Sequence, residues 1–395
     1  MRGRTAISRF DTLMSDSRVT PHPTGGAGHL LPQGEKGWSR RLFLASTLAL
    51  AACDRNAAAQ ATSLATSLAA PRVVPPLKSL VPFPVGTCAM TGQFDDPRWV
   101  ELATRHFSQL TPEWEMKMEY ILQPDGRRRW DAPDRIAAFA RDHAMRLHAT
   151  TLIWYAQDHP WFKSLTGPRF AREYDRWIAD VAGRYAGQAA GWDVVNEPVA
   201  EDGNGLRDCL YSRALGQDGY MIRAFEQAKL ADPRAVLFLN DYNLENNPRK
   251  GATFLRLVER LLKAGAPVGG IGTQSHLDIE IPAGQTAAFM REAANFGLPI
   301  HVSELDASLR RDGAFDPRTP KQKRDQQSAR VAELAEAFTA LPPAQRYAFT
   351  VWGVRDTDSW LRRGDKDDGQ DSPLLFDASG APTPMFDAVA GAFRG

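Results

Sequence analysis

Two glutamates carry the chemistry most readily read from this chain. Glu197 lies in the run Gly191-Trp192-Asp193-Val194-Val195-Asn196-Glu197-Pro198, where an apolar β-branched pair gives way to a polar pair and then a proline. Val194-Val195 reads as a strand buried on both faces, and Pro198 cannot continue a ladder. A carboxylate preceded by an amide at the tip of a buried strand is costly to bury without a use. It is either the structural partner of an arginine or half of a catalytic pair. Glu304, in Ser303-Glu304-Leu305-Asp306, supplies a matching half at another strand end. Cleaving a glycosidic bond takes one carboxyl to protonate the leaving oxygen and a second to attack or to activate water.

The neighbours of each glutamate divide the work. Asp306 follows Glu304 by two residues, and His276 ends the preceding strand. A chain Glu304–His276–Asp306 would hold Glu304 ionised and oriented, because hydrogen bonds to the charged form favour it. That suits a nucleophile. Glu197 has no Lys or Arg within four residues and is expected among Trp192, Asn196 and Pro198. Desolvation is then expected to raise its pKa and fit it to act as general acid, then base. Asn196 is placed for a sugar 2-hydroxyl, a contact that strengthens in the transition state. Taken alone, His276 would read as a core histidine; its place opposite Glu304 makes it functional. With Asp278 it would begin a metal site, but no second ligand-spaced histidine follows, so no metal is expected.

The elements that must position these residues alternate. Candidate strands are Pro84–Ala89, Ser108–Leu110, Arg146–Trp154, Gly191–Asn196, Ala235–Asn240, Gly270–Gln274, Ile300–Ser303 and Tyr347–Trp352. Between them come helical stretches Pro97–Arg105, Ala132–His143, Phe170–Tyr185, Met221–Ala231, Thr253–Ala264, Gln285–Asn295 and Gln326–Leu341, with Pro384–Phe393 to close. Such alternation predicts a parallel sheet, and eight units predict an α/β fold of the (β/α)8 barrel type, one catalytic domain with its site at the strand C-terminal ends. An open doubly wound sheet is the alternative, but no Gly-rich phosphate loop follows the first strand.

Polar clusters recur at the strand ends. They hold Glu113 and Lys117 after strand two, Trp154 and Gln157 at strand three, Tyr242 at strand five, Gln274 at strand six, and Trp352 and Trp360 at strand eight. On one barrel face they would form a deep polar cleft walled with tryptophan, which suits a sugar polymer. Lys117 is expected to point into the cleft, and Trp352 and Trp360 to form a platform for a sugar ring. Tyr242 either packs or hydrogen-bonds the nucleophile, and Asp241 reads as structural.

Composition agrees with a large single domain. The 395 residues are 43% apolar with 10 Trp, 19 Phe and 8 Tyr, at net charge +1. No basic face marks a nucleic-acid partner. The charge is uneven, since residues 1–53 hold 7 Lys and Arg against 3 Asp and Glu. There, Ser39-Arg40-Arg41-Leu42-Phe43-Leu44 resembles a twin-arginine export signal leading into a short apolar stretch. That stretch is well under the ~20 residues that span a bilayer. Leu50-Ala51-Ala52-Cys53 resembles a lipoprotein processing box, which would lipidate Cys53, and Ala57-Ala58-Ala59 offers a rival cleavage site. The expected order is an export signal over 1–53, a flexible linker over 54–78 and the barrel over 79–395, in a monomer that is periplasmic or extracellular. Cys88 and Cys209 would pair in an oxidising compartment or remain separate buried thiols.

Taken together, these residues resemble family 10 of the glycoside hydrolases, the retaining endo-β-1,4-xylanases, over about residues 79–393. Trp192-Asp193-Val194-Val195-Asn196-Glu197 is similar to the family's acid/base segment, Ser303-Glu304-Leu305-Asp306 to its nucleophile segment, and Gln274 with His276 to the pair before it. Trp352 and Trp360 are similar to its two aromatic walls, and Ser372–Asp377 to its C-terminal run. The resemblance implies cleavage of xylan or xylo-oligosaccharides through a glycosyl-enzyme intermediate, with no cofactor.

The donor side departs from the pattern. Trp114 stands where the family has asparagine, Met118 where it has tryptophan, and Thr150 and Tyr155 where it has histidines. Glu113, Lys117, Trp154 and Gln157 are kept. Three functions therefore compete: an active xylanase with a reshaped donor side, a catalytically weak glycan-binding lipoprotein, and a hydrolase of another β-linked glycan. The intact pair Glu197 and Glu304, with Asn196, His276 and Asp306, favours the first.

Overall fold

The computed structural model describes residues 72–310, 316–363, 367 and 369–395. The expected export signal and lipid-attachment cysteine, and all but the end of the expected linker, lie outside them. Val74 and Leu77 are already buried in the core, and the compact unit begins at Val73. The packed domain thus starts a few residues before the change in composition at residue 79.

Eight parallel strands close into a barrel in sequence order: β1 Val85–Ala89, β2 Gln109–Pro112, β3 Arg146–Trp154, β4 Ala189–Asn196, β5 Val236–Asp241, β6 Gly270–Thr273, β7 Ile300–Leu305 and β8 Arg346–Val351. β1 pairs with both β2 and β8, which excludes the open sheet. The longer helices between them are α1 Pro97–His106, α2 Asp131–Asp142, α3 Gly167–Arg184, α4 Gly219–Ala231, α5 Pro248–Lys263, α6 Gln285–Ala294 and α7 Pro320–Thr339, with α8 Pro384–Arg394 closing the ring. Among the described residues no helix is long and apolar enough to cross a membrane.

Local chemistry fixes where the helices start. Asp96 caps α1 by accepting the Arg98 and Trp99 amides, with Pro97 at the first helical position. Asn247 and Pro248 do the same for α5, and Thr319 with Gln322 forms a capping box on α7. α5 and α7 begin five and six residues before their expected starts at Thr253 and Gln326. Their caps precede the apolar periodicity by more than a turn.

Inside the barrel, a layer of aromatic and polar side chains forms the floor beneath the strand tips. His148 lies 3.1 Å from both the Tyr347 hydroxyl and an Asp193 carboxylate oxygen, and His301 lies 2.8 Å from Thr350 Oγ1. Burial pushes His301 well below the usual histidine range. The ladder of β4 with β5 shifts register between Asp193 and Val195, and an irregularity of that kind re-aims side chains. It lets Asp193 reach the floor while Asn196, three residues on, reaches Asn240 at the mouth.

Candidate active site

Glu197 stands at the C-terminal tip of β4, 1% exposed, with φ 56°. The left-handed region costs a non-glycine residue energy that the surroundings must offset. Its amide donates to the Asn240 carbonyl at 2.8 Å, which anchors the turn. Three donors hold the carboxyl: Trp154 Nε1 at 2.7 Å on Oε2, and Gln274 Nε2 at 2.9 Å and Asn196 Nδ2 at 3.0 Å on Oε1. Burial first, and the charge of Asp241 second, outweigh those donors and push its pKa up to about 7.

Glu304 lies at the C-terminal end of β7 and is 6% exposed. Its amide donates to the Gln274 carbonyl at 3.0 Å. Asn240 Nδ2 lies 3.3 Å from Glu304 Oε1 and 2.9 Å from Asn196 Oδ1, while Asn240 Oδ1 accepts from Ser303 at 2.9 Å. A continuous chain of amides therefore links the two carboxyls: Glu197–Asn196–Asn240–Glu304. Gly272 on β6 makes room for it, since a Cβ there would lie 2.3 Å from Asn240 Oδ1.

His276 sits between two carboxylates, with Nε2 3.5 Å from Glu304 and Nδ1 2.9 Å from Asp306. Burial alone would keep the imidazole neutral; Asp306 and Glu304 override it and raise its pKa to about 10. Trp360 Nε1 donates to Asp306 at 2.8 Å, so an aromatic wall is tied to the same chain. The expected Glu304–His276–Asp306 arrangement is present.

The expected sugar-binding residues divide into two sides. Lys117 Nζ lies 4.8 Å from the Trp154 ring and 5.9 Å from the Trp352 ring, a cation between two indoles in the cleft. Gln157 is buried and its Oε1 accepts the Met118 amide at 3.0 Å, which fixes the segment that follows Lys117. Arg363 grips both oxygens of Glu113, at 2.5 and 2.8 Å. On the other side, the Tyr242 hydroxyl hydrogen-bonds Glu201 and receives Arg207 Nη2 at 2.7 Å. Arg207 also lies over Tyr155, 4.0 Å from its centroid.

Some placements differ from expectation. Trp192 faces the helices rather than Glu197, donating to Asp232 at 3.2 Å. Of the two arrangements expected for Cys88 and Cys209, the structure has the second: separate buried thiols. No arginine neighbours Glu197 in sequence, yet Arg207 comes near enough in space to oppose the rise in its pKa. Asn240 had a visible signal in its strand-tip cluster; Arg207 and Arg363 had none, because loops bring them in.

The profile of "Glycosyl hydrolase family 10" matches residues 78–392. The chain belongs to glycosyl hydrolase family 10. Endo-1,4-beta-xylanase A of Cellvibrio japonicus is 32% identical over 351 residues, which is 81% of this chain and 56% of that protein. Exoglucanase XynX of Acetivibrio thermocellus is 31% identical over 78% of this chain and 28% of its own length. The chain thus spans about half or less of those two relatives. Endo-1,4-beta-xylanase B of Paenibacillus barcinonensis is 33% identical over 74% of this chain and 90% of that protein. Among solved structures, a mutant of P fluorescens subsp. cellulosa xylanase A in complex with xylopentaose superposes with TM-score 0.74 at 30% identity, covering 81% of this chain and 100% of that one. The barrel and both strand-tip glutamates, Glu197 and Glu304, lie within the matched residues.

Proposed function

We propose that the protein is a retaining endo-1,4-β-xylanase acting on xylan or xylo-oligosaccharides. The observation that carries this reading is the pair of glutamates joined by Asn196 and Asn240 but held in opposite environments. In the first step Glu304 attacks the anomeric carbon while Glu197 gives its proton to the departing glycosidic oxygen. In the second, Glu197 takes a proton from water, the resulting hydroxide displaces Glu304, and the acid is restored. Two displacements at one carbon retain its configuration. A pKa near 7 lets Glu197 serve both steps at neutral pH, and His276, between Glu304 and Asp306, holds the nucleophile in place. For such a double displacement the carboxyl groups stand ~5–5.5 Å apart.

The purified protein should release reducing sugar from xylan, and Glu304→Ala should not. Equal release by the two would overturn the nucleophile assignment. The donor-side changes at Trp114 and Thr150, and a relative named as an exoglucanase, favour parallel assays on other β-linked glycans; turnover there alone would replace xylan as the substrate. The twin-arginine sequence supports export, and the Leu50-Ala51-Ala52-Cys53 box supports a lipid anchor at Cys53. Radiolabelled palmitate incorporated by the natural chain and lost in Cys53→Ala would support the anchor, and equal labelling of both would refute it.

A further inference from the structure

Behind Glu197 lies a buried ion pair that the reaction steps above do not use. Lys250, from the first turn of α5, places Nζ 3.0 Å from Asp241 Oδ1 at the tip of β5, and both side chains are fully buried. Asp241 accepts the Tyr242 amide on Oδ1 at 2.8 Å and the Val199 amide on Oδ2 at 3.0 Å. Val199 is two residues past Glu197, so the carboxylate grips the far side of the left-handed turn that carries the acid. The Asp241 carbonyl also accepts the Gln274 amide at 3.0 Å, and Gln274 is itself a donor to the Glu197 carboxyl. Burial raises the Asp241 pKa, and the charge of Lys250 is the first of the influences that oppose the rise, so the lysine favours the ionised aspartate.

We propose that Lys250 and Asp241 are a positioning pair for the acid/base glutamate, the lysine fixing the aspartate and the aspartate fixing the turn on which Glu197 stands. This rests on the reading of Glu197 as the acid/base. After burial, the charge of Asp241 is the largest influence raising the Glu197 pKa. Other charged and titratable groups face this cluster. Lys250 Nζ is 3.9 Å from Glu201 and 3.4 Å from the centroid of the Tyr242 ring; Arg207 bonds Glu201 and Tyr242 from the β4–α4 loop; Glu304 and His276 lie across the site on β7 and after β6. Arg207 holds the same turn through its backbone, its amide donating to the Pro198 carbonyl at 2.8 Å, while its charge lowers the Glu197 pKa. Asp241 does so through a side chain whose charge Glu197 feels. Without Lys250, Asp241 would take up a proton, and its charge on Glu197 would vanish with it.

The test is a carboxyl NMR titration of the full chain with labelled glutamate and aspartate, read beside the pH profile of kcat/KM on xylo-oligosaccharides. In the natural protein Glu197 should show a main inflection near pH 7 and a smaller one where Asp241 titrates. Asp241→Asn and Lys250→Met should each lower the Glu197 pKa by roughly one unit, the scale of losing one nearby partly screened charge. The basic limb of kcat/KM should move down with it, and the double variant should match Asp241→Asn alone. Folded variants with an unmoved Glu197 curve, or effects that add, would overturn the pairing. Should neither variant fold, the natural protein still decides: a Glu197 curve without any step at the Asp241 titration refutes it. The titration needs no substrate, so absence of xylanase activity would sink the functional reading while leaving this result standing.

Discussion

At the scale of residues, the site separates two chemically identical side chains by their surroundings. Glu197 is enclosed by burial, an indole and two amides, and its pKa near 7 sets a definite pH dependence. A general acid must carry its proton, so kcat/KM should be level below about pH 7 and fall about tenfold per unit above it; Glu197→Gln should abolish that limb and lower the rate on unactivated substrates by roughly 10²–10⁴-fold. Removing the imidazole that bridges Glu304 and Asp306 with His276→Asn should lower kcat tenfold or more through a misplaced nucleophile. A pH–rate profile checks the Glu197 limb, and kcat checks the His276 variant. The pair Glu197 and Glu304 was legible from strand-tip patterning, as was the His276–Asp306 support. The residues that tune them were less so. Arg207 is ten residues from Glu197 in sequence and arrives through a loop, and Arg363 reaches Glu113 across 250 positions. Lys250 lies before the expected helix start at Thr253, and only the longer α5 brings it onto Asp241.

At the scale of elements, strands aim the chemistry and glycine clears its path. The inward bend of β4 needs a shift of register that no periodicity announces, because the run Trp192–Asn196 is apolar and polar without strict alternation. Helix cores were visible in their apolar stripes, whereas the true starts of α5 and α7 lay in caps with polar first turns. Thr319→Ala should cost about 1 kcal/mol of stability through the lost cap, measured by chemical denaturation, with kcat unchanged. Gly272→Ala should act oppositely, because its Cβ would displace Asn240 from the chain between the carboxyls. Activity should fall tenfold or more for a single misplaced group, while the midpoint of unfolding moves little by comparison. On the donor side, Trp114→Asn with Thr150→His should strengthen binding of xylo-oligosaccharides by several-fold, the worth of one or two hydrogen bonds at about 1 kcal/mol each, seen as a lower KM.

At the scale of the whole molecule, one barrel brings together tips from β2 to β8, and the functional residues lie far apart in sequence from Glu113 to Arg363. The closed barrel followed from eight repeats of strand and helix, and its site from polar clusters at one end of each strand. The compact unit from Val73 to Gly395 holds every residue placed at the site, so a chain starting at Arg72 should fold and match the full chain in kcat/KM on soluble substrates. The claim on which all else depends is that Glu304 forms a covalent bond to the sugar. An activated 2-deoxy-2-fluoro-xylobioside slows the second step and traps that bond. Intact-mass and peptide analysis should then find one glycosyl group per protein, carried on the peptide with Glu304 and absent in Glu304→Ala. Label on any other carboxyl, or turnover of the natural substrate by a protein that never takes up the label, would contradict it.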